Sequence, residues 1–167
     1  MDIAIYEAVS RSRLVALLRR VEARARDAFQ VDVEVLEQVD NLPDPPETPP
    51  QLLLWIEDGD GEPFKVLLGI GFDPEHTPDG QDGVSRLAGW LSVELQCRTV
   101  CDGSDHVDDD APFWCVLWDR GRAFLADDAE LDPGDGEPPG ELRIVRPLPE
   151  LRPDTDPTSI ARAFRQV

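Results

Sequence analysis

The sequence predicts an α+β domain, with two long helices packed on a largely antiparallel sheet and a short helix at the C-terminus. Three observations carry this. Apolar side chains recur at helical spacing over residues 14–28 and again over 84–95. Short alternating or wholly apolar runs bounded by Gly, Asp and Pro read as strands. The order helix, strand, polar loop, hairpin then occurs twice.

In chain order, residues 2–7 alternate Ile3 and Ile5 against Asp2, Ala4 and Tyr6, as a short strand does. Leu14, Leu17, Leu18, Val21, Ala25 and Ala28 form one helical stripe, and Ser10 or Ser12 can cap its start. VDVEV (31–35) alternates as a half-buried strand, and 41–50 is a proline-rich loop. LLLWIEDGDGEPFKVLLGIGF reads as two strands turning at Asp58-Gly59-Asp60-Gly61. A second helix is expected from about Gly83, with Val84, Leu87, Ala88, Leu91 and Leu95 on one face. CRTVC is a strand, and FWCVLWDRGRAFLADD is a hairpin turning at Asp119-Arg120-Gly121. Residues 129–157 are a Pro/Gly-rich connection containing a strand at 142–146, and 159–165 is a final short helix.

At an offset of 66, Leu18, Val21, Ala25, Phe29, Gln30, Val31, Val33 and Val35 superpose on Val84, Leu87, Leu91, Leu95, Gln96, Cys97, Thr99 and Cys101. At an offset of 62, Leu54-Trp55-Ile56-Glu57 superposes on Val116-Leu117-Trp118-Asp119. The expectation is two α-β-β-β units, 10–72 and 83–128, within one domain. They are either an internal duplication or two ordinary helix–meander units.

The chain has 167 residues and a net charge of −19, distributed unevenly. Residues 1–30 carry six Arg against four acids, and 143–167 carry five Arg against three. Residues 31–142 carry 28 acids against Lys65 and four Arg. Such a field repels nucleic acid and anionic membrane and speeds encounter with basic partners. Three cysteines without framework spacing, no visible leader and no long apolar run predict a reduced cytoplasm. The bland reading of the charge is solubility.

The densest stretch is CDGSDHVDDDAPFWC, residues 101–115. Cys97, Cys101, His106 and Cys115 echo zinc spacing. Residues four apart on a strand lie ~13 Å apart, however, too far for sulfurs that must approach within ~4 Å around one ion. Asp58-Gly59-Asp60-Gly61-Glu62 begins like a calcium loop, but Pro63 stands where glycine is required and Gly69 where the bidentate glutamate belongs. His76 and His106 sit in polar loops without a nucleophile motif, and no phosphate-binding glycine loop is present. No catalytic residue, metal or cofactor is expected. Trp114, Val116 and Trp118 share one face of their strand, with Cys115 and Leu117 on the other, so both faces are apolar and the strand reads as central. The alternative is that a tryptophan face, with Trp90, is a binding patch.

The helix, strand and acidic loop followed by FWCVLWDRGRAFLADD, and preceded by LLLWIEDGDGEPFKVLLGIGF, resemble small acidic α+β immunity proteins found beside bacterial toxins. The resemblance spans residues 50–130 and transfers no individual residue role. It implies a non-enzymatic protein that covers a basic partner, such as a toxin. From the residues themselves the expected contacts are Asp105, Asp108, Asp109 and Asp110, with Asp58 and Asp60 second. Two rivals remain. One is a secretion-chaperone-like adaptor, which predicts a stable dimer gripping apolar segments; the other is an enzyme holding a divalent cation on its acidic loops.

Overall fold

A computed structural model describes residues 1–36, 51–59, 63–72, 77, 79–107, 114–129, 131 and 140–165. The elements are β1 (Asp2–Ile5), α1 (Arg11–Phe29), β2 (Val33–Leu36), β3 (Leu52–Asp58), β4 (Val66–Phe72), α2 (Gly80–Leu95), β5 (Arg98–Asp102), a 3-10 turn (Ser104–His106), β6 (Trp114–Asp119), β7 (Arg122–Asp127), β8 (Arg143–Pro147) and α3 (Pro157–Ala163). The expected loop at 41–50, Asp60, Gly61, His76, residues 108–113 and 132–139 lie outside the described residues.

The described strands form one mixed sheet in the order β2-β3-β4-β1-β5-β6-β7-β8. Only the β2–β3 pair is parallel. The helices pack on one face, which explains the strand alternation. Ile3, Ile5, Leu54, Leu68, Val116 and Leu125 point into the main core with Leu14, Leu18, Leu87 and Leu91. The face away from the helices carries a second buried cluster of Val100, Cys115, Leu117 and Ala126, packed with Ala4, Tyr6, Phe64, Phe124 and Leu142. β6 is therefore buried on both sides, as its two apolar faces predict.

The helices show why these residues form them. Ser10 caps α1 by accepting a bond from the Arg13 N–H at 3.4 Å, and the expected stripe from Leu14 to Ala25 is buried, whereas Ala28 is exposed. Both long helices end on a glutamine in the left-handed region, Gln30 (φ 57°) and Gln96 (φ 55°), at the offset of 66 seen in the sequence. The likeness stops there. β2 joins β3 in parallel at the sheet edge, whereas β5 joins β6 antiparallel in its interior. The connectivity of the sheet shows no duplication.

α2 begins at Gly80, one turn before the expected Gly83. Glycine weakens helix propensity by ~1 kcal/mol relative to alanine, so the pattern reads as loop until packing is considered. The glycines serve close approach. A Cβ on Gly89 would stand 3.0 Å from three Trp118 ring atoms, and one on Gly83 would stand 2.8 Å from Phe164 Cζ. Trp118 and Phe164 are fully enclosed, so neither ring has room to retreat. The short C-terminal helix also starts earlier than expected. Asp156 caps it by accepting from the Thr158 N–H at 2.9 Å, with Pro157 in the first turn. Among the described residues no helix is long and apolar enough to cross a membrane.

Overpacking a filled core costs roughly 1–3 kcal/mol. Gly89→Val should lower the unfolding free energy by about that amount in urea titration, with an unchanged midpoint showing that Trp118 is not seated on the helix.

Candidate functional site

The strand register sorts the candidate acids into two groups. Asp58 ends β3 and shares a row with Val66, Ile5 and Thr99, the last of which lies near the start of β5. Asp105 follows the far end of β5. Three strand spacings and three residues of rise therefore separate Asp58 from the end of β5, on the order of 17 Å. That exceeds the ~8 Å screening length at physiological salt, so the two positions do not act as one anionic centre. Asp58 is also engaged, accepting from Arg11 at 2.8 Å. The secondary candidate Asp58 thus belongs to a mixed, ion-paired end of the sheet, where Arg98 bonds Glu7 at 2.9 Å and Arg120 bonds Asp119 at 2.7 Å. Asp60, like Asp108, Asp109 and Asp110, is outside the described residues.

The opposite end collects carboxylates. The pairings Asp102↔Cys115 and Trp114↔Asp127 place the ends of β5 and β7 on either side of the start of β6. Asp102 accepts from the Ser104 N–H (3.0 Å), the Ser104 hydroxyl (3.1 Å) and Gln81 Nε2 (2.7 Å), which winds the 3-10 turn and ties it to α2. That turn displays Asp105 to solvent. Asp127 accepts from the Ala129 N–H at 3.0 Å and from Arg143. These bonds, the backbone N–H first, hold its carboxyl below the ordinary 3.8.

Asp128 behaves in the opposite way. Partial burial pushes its carboxyl above 3.8, and the neighbouring Asp127 and Asp102 charges push it further. Only a backbone bond opposes them. The candidate site is therefore Asp102, Asp105, Asp127 and Asp128 at one end of the sheet. Asp102, Asp127 and Asp128 were not among the expected contacts. Hairpin pairing offered the missing signal, since residues that end β7 must lie beside those that begin β6.

The remaining reactive groups are held inert. Cys97, Cys101 and Cys115 are free and buried, and burial pushes each thiol up to about 12. Cys101 faces the helices, whereas Cys115 faces the other side, so the two sulfurs lie across the sheet from each other. Burial also pushes the Tyr6 phenol up to about 12, opposed by Arg98, whose guanidinium lies 4.4 Å over the ring. The His106 carbonyl accepts from Arg146 at 3.1 Å. Among the described residues no group of three or more His, Cys, Asp or Glu is placed to hold a metal ion.

Trp90 and Trp118 are core residues, and Trp114 packs against that core. Trp55 differs. Its register partner is Gly69, on the face away from the helices, and the indole lies across that glycine so closely that a Cβ there would fall 2.0 Å from Cε2. Its Nε1 donates to Glu57 at 2.6 Å. No protein-family model, curated protein or solved structure matches this chain.

Asp127 and Asp128 predict opposite pH behaviour. Between 3.8 and its raised folded value, Asp128 binds more proton in the folded than in the unfolded chain, so its contribution to stability falls as pH rises through that window. Asp127 contributes stability above 3.8 that is lost as pH falls through its lowered folded value. Asp128→Asn should melt above the parent protein at neutral pH and lose that advantage in acid. Asp127→Asn should melt below it at neutral pH. Calorimetry across the acid range checks both signs.

Proposed function

We propose that this protein is a non-enzymatic binding protein of the immunity or inhibitor type, whose acidic sheet end covers a basic surface on another protein. The observation that supports this reading is the gathering of Asp102, Asp127 and Asp128 at the sheet end that also carries exposed Asp105, where burial first and then the Asp127 and Asp102 charges raise the Asp128 carboxyl. Arg143 pairs with Asp127, and Arg146 reaches the His106 carbonyl in the turn that carries Asp105. Burying a carboxylate beside like charges costs stability, and a basic partner would return it by pairing. Asp108, Asp109 and Asp110 follow Asp105 in the sequence after His106 and Val107 and continue the same acidic stretch. The resemblance of element order to toxin-neutralising proteins points the same way.

The test is capture of binding proteins from the source cells, then association kinetics of the captured protein across ionic strength. The expected partner is basic, and its association rate falls steeply with salt. Replacing Asp105, Asp108, Asp109 and Asp110 by Asn should slow association by about tenfold at low salt and flatten the salt dependence. Association that ignores both salt and the four substitutions would sink the proposal. A salt-insensitive apolar interface would instead indicate the adaptor. A melting shift under millimolar magnesium, calcium or manganese would indicate the cation-dependent enzyme.

A further inference from the structure

The two edges of the sheet are finished differently. β2 has four residues, and Arg19 Nη2 donates to the Val35 carbonyl at 3.3 Å, which blunts that edge. β8 forms the other edge, and all five of its residues are exposed. Ile144 (54% exposed) and Val145 (46%) are, with Met1, the large apolar side chains most open to solvent among the described residues. β7 pairs Leu125 with Arg146 and Ala126 with Ile144, so Val145 is the extra residue of a bulge. Among the described residues β8 pairs with β7 alone, and no hydrogen bond reaches its outer side. A neighbouring strand would supply what those backbone groups lack.

Where β8 ends, the edge continues into a groove of 620 Å³. Phe124, Pro147, Pro149 and Pro153 line it, with Arg122 and Arg152 at its sides. Arg122 lies 5.9 Å over Phe124 and contacts Asp119 at 3.3 Å, and Arg152 is exposed. In a chain of net charge −19, this region gathers Arg122, Arg143, Arg146 and Arg152 around exposed aliphatic and aromatic surface; Arg122 and Arg143 are paired with Asp119 and Asp127, so among the described residues Arg146 and Arg152 carry the uncompensated charge.

We propose that β8 and this groove take up an extended segment of another protein, alternately apolar and acidic, as a ninth strand of the sheet. Strand addition supplies affinity through main-chain hydrogen bonds and selectivity through side chains on alternate sides. Ile144 and Val145 supply the apolar contact, and the arginines set the sign of the partner. The same arginines disfavour a second copy. Two β8 strands paired about a two-fold axis would bring Arg143 and Arg146 of both chains together, between bodies that each carry −19. This surface adjoins the acidic sheet end through the Arg143–Asp127 pair and the Arg146–His106 bond, but Arg122, Arg152, Ile144 and Val145, on which its test turns, lie outside that end, so either proposal can fail alone.

The experiment is selection of a displayed library of random twelve-residue peptides against the intact protein, followed by hydrogen exchange with the enriched peptides bound. The expected consensus alternates Val, Ile or Phe with Asp or Glu, and the amides of residues 143–147 exchange more slowly in the complex. Two variants separate the contributions, Arg122→Glu with Arg152→Glu and Ile144→Ser with Val145→Ser. All four residues are exposed, so the melting temperature should hold while affinity falls by about tenfold in each. Three results would overturn the proposal: no enrichment, basic peptides that leave the β8 amides unchanged, or affinity untouched by both variants. A concentration-dependent dimer whose β8 amides are already protected would assign the edge to a second copy and overturn it equally.

Discussion

The close seating of α2 on the middle of the sheet is the constraint on which the rest depends. Gly89 lets the Trp118 ring approach the helix backbone to van der Waals distance, and Gly83 admits Phe164 beside α3. Two buried hydroxyls lock the contact. Thr99 Oγ1 donates to the Ala88 carbonyl at 2.8 Å, which joins β5 to α2. Ser92 Oγ donates to the Gly89 carbonyl at 2.7 Å and accepts the Gly121 N–H at 3.0 Å, which joins α2 to the β6–β7 turn. That turn needs positive φ at Arg120 (49°) and Gly121 (86°), the geometry that closes a tight two-residue hairpin. The hairpin register then sets which acids meet at the far end of β6 and β7.

Charge in this molecule is arranged, and net charge alone conceals it. Several arginines of the basic N-terminal region fold against acids from the middle of the chain, as in Arg11–Asp58 and Arg20–Glu94. Exposed pairs of this kind contribute ~0–1 kcal/mol each, so their effect on stability is small. Their effect on the surface field is larger, because they neutralise one end of the sheet and leave carboxylates in excess at the other. Arginines from the C-terminal region sit mainly along the β8 edge. The result is a body with carboxylates gathered at one end of the sheet and arginines along one edge.

The helical stripes, the hairpins and the doubly buried β6 were legible in the sequence because each depends on local periodicity. Leu14 to Ala25 and Val84 to Leu95 declare their buried faces within a few turns. The start of α2 was placed one turn late, because Gly80 looks like loop until the Phe72 ring that covers it is known. The apparent repeat was likewise local. The glutamine caps correspond, but β2 and β5 take different neighbours, and pairing is a long-range choice that similar strand patterns leave open. Asp105 was identified from charge density alone, whereas Asp102, Asp127 and Asp128 required the register of β5, β6 and β7.

By itself the sequence determined the class of the fold, the order of its elements and the excess of acid in its middle. Each of these follows from composition or from spacing within a dozen residues. Only the tertiary structure decided that Asp58 and Asp105 stand at opposite ends of one sheet, and that β8 is its open edge. Strand order and direction bring together residues far apart in the chain. Screened charges interact over only ~8 Å, so the existence of an acidic site depends on that arrangement more than on the number of acids.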